Sequence, residues 1–228
     1  MRRWIGALAA TALTMAAASA ALASGDRSDG HRLAAVLDAM DVEGHWPAGA
    51  HVDWRSGDPD GRQEHFEGRH THRSVFVAAA AERLGVYILR PPEHSQVLLA
   101  NAQADWLRAH GPAYGWRPVS TGLQAQHEAN LGYLVVASYK NHDAGRPGHI
   151  AIVRPSGRSR VDIEADGPEV IQAGGQNYNA TTLRHGFAGH PAALGNQEVR
   201  YFEHDITGQD GATAAGSTPA SAKGPASR

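Results

Sequence analysis

Residues 133–154 read YLVVASYKNHDAGRPGHIAIVR, and the fold turns on them. Tyr133–Tyr139 and His149–Arg154 are runs rich in Val, Ile and Tyr, joined by a turn-forming loop over 141–148. That is the pattern of neighbouring strands with a short connection. Upstream the periodicity is helical. Leu33, Val36, Leu37 and Met40 recur at i, i+3, i+4 and i+7 behind Ser28-Asp29, which predicts a first, capped helix. A second is predicted over 72–84, capped by Thr71 and stopped by Gly85. Its centre, Phe76–Ala81, is apolar on nearly every side and so should be buried. A third is predicted over 95–110, with Leu98, Leu99, Ala102 and Trp106 inward, and a short fourth over 123–130. Downstream, Glu169–Ala173 and Val199–Phe202 read as shorter strands. Helices first and consecutive strands after them predict an α+β domain with an antiparallel sheet.

The rest of the chain sets the boundaries. Arg2 and Arg3 precede an uncharged, alanine-rich stretch that ends in Ala21-Leu22-Ala23. This is the pattern of a signal peptide cleaved after Ala23, with a periplasmic or extracellular destination. Residues 24–206 are expected to form a single domain. Residues 207–228, built from Gly, Ala, Ser, Thr and Pro with little to bury, are expected to be a disordered tail. The chain has a formal net charge of −2; residues 1–23 hold two arginines and no acid, so their removal leaves −4. Such a charge argues against nucleic acid or an anionic membrane as partner. After signal cleavage no long apolar segment is left to span a membrane. There is no cysteine, which excludes disulfides, thiolate metal sites and a thiol nucleophile together. No cofactor is called for.

Two segments carry the chemistry: His72-Arg73-Ser74-Val75-Phe76-Val77 and Gly148-His149-Ile150-Ala151-Ile152-Val153. Together they resemble the NlpC/P60 superfamily of papain-like cysteine hydrolases and its CHAP relatives. There, a cysteine opens a buried helix and a later Gly-His begins a sheet strand. The resemblance spans about 66–176. It implies a papain-like fold, a peptidoglycan stem peptide or another peptide as substrate, and a catalytic histidine at His149. A third polar residue on the next strand is implied too, with Gln172 the choice and Asn177 the reserve. Ser74, Asp53 and Trp54 are the candidate substrate contacts. Trp46 and Trp54, in a polar stretch over 41–68, are equally readable as a lid over the core.

The departure from the family pattern is at the nucleophile. Arg73 stands where the cysteine belongs, and a guanidinium stays protonated and cannot attack a carbonyl. Ser74 cannot replace it directly, because one step along a helix turns a side chain by about 100°. The expectation is an exported, catalytically degenerate protein that binds wall peptide. A cation at a helix N-terminus opposes the helix dipole unless a carboxylate compensates. Glu64, Glu67, Asp53 or a ligand can supply one. Two alternatives stand beside this reading. One is a zinc hydrolase or metal-binding module using His65, His70 and His72, with Glu67 in reserve. The other is an active cysteine hydrolase, should codon 73 be a variant or an error.

Overall fold

The computed structural model describes residues 29–62 and 71–206. These are mixed α and β, built around a six-stranded antiparallel sheet. The signal-peptide and tail expectations fall outside the described residues. The strands are β1 (Arg117–Val119), β2 (Leu134–Tyr139), β3 (His149–Val153), β4 (Glu169–Gln172), β5 (Tyr178–Thr182) and β6 (Arg200–His204). Their order across the sheet is β1-β6-β2-β3-β4-β5. Strands β2 to β5 form a meander, and β6 returns to the free edge of β2.

The stretch over 133–154 forms the central pair, with Tyr139 opposite His149 and Val135 opposite Val153. Every residue of β2 and β3 is buried, because the sheet is covered on both faces. A strand buried on both sides has no polar face to alternate with, hence the unbroken apolar runs. On one face Leu134, Val136, Ile150, Ile152 and Ile171 pack against α1 (29–38), α2 (Arg73–Arg83) and α3 (Leu99–Ala109). On the other, Val135, Ala137, Ala151, Val153 and Val170 meet side chains from α4 (Gly122–Asn130), α6 (Leu183–Gly186) and α7 (Pro191–Gly195). A further helix, α5 (Arg160–Asp166), lies beyond α4. In this second layer α4 matches the helix expected over 123–130, whereas α6 and α7, of four and five residues, carry too little periodicity to be foreseen.

The central helix α2 is buried from Ser74 to Ala81 and stops before Gly85, whose φ of 70° suits glycine. Its N-cap is His72, with no side-chain cap, rather than Thr71. Helix α3 begins four residues later than expected, because Leu98 sits at φ 55° and breaks the run. That rotation leaves Ala102 exposed and Leu98 half-buried, while Leu99, Ala100, Gln103 and Leu107 turn inward. The polar stretch after α1 closes on the core through Trp46. Its ring is fully buried and meets Phe76 edge-on at 5.3 Å. Gly57, at φ 80°, lies so close beneath it that a Cβ there would approach the indole to 2.3 Å. Trp54 is also a core residue, so both tryptophans cover the core. Among the described residues no helix is long and apolar enough to cross a membrane.

Candidate functional site

Strand parity sets the geometry. His149 opens β3 and Gln172 closes β4, and both share the parity of Ala151 and Val170, so both face the layer of α6 and α7. Helix α2 lies on the opposite face. Arg73, in its first turn, reaches past the start of β3 and donates from Nη1 to the Gly148 carbonyl at 3.0 Å. The same Nη1 lies 3.4 Å from Nε2 of His190, the residue preceding α7. Arg73, His149, Gln172 and His190 line a cleft of about 980 Å³.

The tautomer of His149 follows from its neighbour. Gln172 donates from Nε2 to the Gly186 carbonyl at 3.2 Å, which turns its Oε1 towards His149. That oxygen is 2.8 Å from His149 Nε2 and can only accept, so the imidazole proton sits on Nε2. Nδ1 is left with a lone pair, buried and without a partner. Glycine at 186 makes room for this arrangement: a Cβ there would stand 2.6 Å from Gln172 Oε1. The ring also packs on Phe187, centroid to centroid at 4.2 Å.

Burial holds the His149 imidazole well below its usual range, and the Arg73 cation and His190 push the same way, against the Gln172 hydrogen bond. Burial, then the Arg73 and Arg146 charges, lower His190 to about 4. Both rings are therefore neutral near pH 7. Burial lowers Arg73 to about 10, so it keeps its charge. One consequence is a pH effect on stability. The unfolded chain takes up a proton at residue 190 below about pH 6.5, whereas the folded chain does so only near 4. The stabilisation is complete above about pH 6.5 and declines as the pH falls towards 4. We expect His190→Gln to flatten this decline by about 1–2 kcal/mol, a figure discounted for the partial exposure of the ring. Thermal melts of both proteins between pH 7 and 4 check it; parallel curves would overturn it.

The other candidates are placed elsewhere. Asn177 does not serve His149. Its Nδ2 donates to the carbonyls of Val42, His45 and Trp46, and its Oδ1 accepts from the Gly174 amide. Asp53 and Trp54 do not line the cleft. The Asp53 carboxylate accepts from the amides of Arg55 and Ser56 in a local turn, so it is not the counterion of Arg73. Ser74 is buried and its carbonyl takes a hydrogen bond from Gln103. Glu64, Glu67, His65 and His70 lie outside the described residues. His72 is buried, with Nε2 3.2 Å from the Pro47 carbonyl. Among the described residues no three His, Asp or Glu side chains are grouped to hold a metal ion.

What the sequence reading missed is the far wall of the cleft: Arg146, Tyr178, His185 and His190. Its one signal was Gly189-His190-Pro191, a histidine just ahead of a helix-opening proline. A smaller hollow of about 390 Å³, lined by Ser138, Lys140 and Arg200, lies beyond Asn141 and holds none of the candidate residues. Compared with known proteins, the chain matches no family model and no curated protein.

Proposed function

We propose that this chain is an exported, NlpC/P60-like protein that has lost its nucleophile and binds cell-wall peptide without cleaving it. The observation that carries the reading is the state of His149. Nε2 is committed to Gln172, and Nδ1 is buried and unpartnered, on a residue that lines the same cleft as Arg73, which stands at the start of a buried helix. A cysteine hydrolase needs that tautomer, with one ring nitrogen fixed by an amide and the other available to a thiol. Here the thiol position carries a guanidinium, which supplies neither a nucleophile nor a base. Ser74 is buried and does not line the cleft, so it does not take over.

The test restores the thiol. In Arg73→Cys, a sulfur at the α2 N-terminus beside His149 should have its pKa drawn below the ordinary value of about 8.5. Alkylation by iodoacetamide at pH 6 should then run about tenfold or more faster than that of free cysteine. The additional change His149→Ala should remove the advantage. A thiol no more reactive than free cysteine, and indifferent to His149, would sink the papain-like assignment. Turnover of peptidoglycan is a weaker readout, since contacts to the substrate are not restored with the sulfur.

A further inference from the structure

The cleft has a charge and a hydrogen-bonding pattern of its own. A cysteine–histidine pair as thiolate and imidazolium is neutral overall; Arg73 beside a neutral His149 leaves one positive charge. Arg146 adds a second cation at the mouth, and among the described residues no Asp or Glu lines the cleft. The partners of the Arg73 guanidinium are uncharged, the Gly148 carbonyl and the His190 ring. Its Nε is buried without a hydrogen bond. A cation buried without a counter-charge is unfavourable, so an anionic ligand is favoured here. The fork of a guanidinium suits the two oxygens of a carboxylate.

His149 adds a second requirement. It is 2 % exposed, and the lone pair of its unpartnered Nδ1 would repel a carboxylate oxygen but would accept an N–H. The ligand must therefore present an anion and a donor close together. The last residue of a peptide does this, since its amide nitrogen and its carboxylate are attached to the same Cα. The remaining wall includes Gly175, Gly186 and Gly189, where a peptide backbone can approach closely.

We propose that the cleft recognises the free C-terminus of a peptide, with Arg73 on the carboxylate and His149 Nδ1 accepting the N–H of the last peptide bond. This rests on reading the cleft as a former peptidase groove and names the part of the peptide that it holds. The experiment is calorimetric titration of the chain with N-acetyl-trialanine, ending in L- or D-alanine. The comparison ligands are the C-terminal amide of each peptide, the analogue methylated on the last peptide nitrogen, inorganic phosphate and acetate.

At least one free acid should bind about tenfold or more tightly than its amide. Arg73→Gln should erase that difference, and methylation of the nitrogen should weaken binding by a similar factor. Arg73→Lys, which keeps the charge and loses the fork, should fall between, and covers the case in which Arg73→Gln does not fold. Equal affinity for acid and amide overturns the proposal. So does failure of both acids to bind at about 10 mM, an affinity too weak to mean recognition. Phosphate or acetate binding as tightly as the peptide also overturns it, by reducing the site to a general oxyanion trap. The two readings fail separately: thiol reactivity in Arg73→Cys reports the hydrolase ancestry, and the acid–amide contrast reports the ligand.

Discussion

Replacing Asn177 by alanine is expected to destabilise the protein by about 3–4 kcal/mol and to lower its melting temperature by about 10 °C. The side chain shares its two amide protons among the carbonyls of Val42, His45 and Trp46, at 2.8 to 3.0 Å. Its oxygen accepts from the Gly174 amide at 3.0 Å. One residue thus ties the connection between β4 and β5 to the loop that seats Trp46 in the core. Alanine leaves several backbone groups without partners, and each such buried group costs about 1–3 kcal/mol. Asn177→Asp keeps the acceptor and loses the donor, placing a carboxylate among three carbonyl oxygens; it should be at least as damaging. Urea titration of both variants measures the effect, and a loss under about 1 kcal/mol would show that water replaces the amide without penalty.

That role explains why the sequence offered Asn177 as a substitute for Gln172. Both are amides near the end of a strand, and residue type alone does not separate a group that orients a histidine from one that anchors a loop. Strand parity does separate them. Gln172 lies on β4 with the parity of Val170, on the side of His149, whereas Asn177 precedes β5 and turns to the loop after α1.

The elements that were legible are those whose signal is local. The central strand pair, the buried helix α2 and the stop at Gly85 follow from apolar runs bounded by turn residues. The position of His149 at a strand start could be read in the same way. Less legible were features set by contacts across the chain. Leu98 takes a left-handed conformation that its residue type does not announce, which moved the start of α3 and the inward face of its first turn. Strand β1 has only three residues, and β5 is polar in sequence and only partly buried, so neither stands out as an apolar run. The cleft wall with Arg146 and His190 comes from two loops brought to one end of the sheet, and no spacing in the sequence links them. Asp53 and Trp54 were plausible contacts by chemistry, but the loop that carries them turns Trp54 into the core.

The glycine of the Gly-His pair has a steric cause that a single substitution exposes. Gly148 is buried at the start of β3, where a Cβ would stand 2.3 Å from the Tyr139 carbonyl oxygen and 2.5 Å from Asn101 Oδ1. Neither neighbour can give way cheaply. Tyr139 is paired with His149 in the ladder, and Asn101 holds both ends of the 141–148 loop, accepting from the Asn141 amide and donating to the Arg146 carbonyl. We expect Gly148→Ala to cost about 3 kcal/mol or more, at the upper end of what overpacking a tight site produces. The same shift would move the carbonyl that receives Arg73, so the variant should also lose the preference for a free peptide acid. Gly145→Ala is the internal comparison. It lies in the same loop, but its Cβ would come no nearer than 3.4 Å to the Asp143 carboxylate, and it should change stability by less than about 0.5 kcal/mol. Chemical denaturation of the two variants side by side decides the matter. If both behave alike, the close approach of the backbones is not what fixes glycine ahead of His149, and the geometry inferred for the mouth of the cleft falls with it.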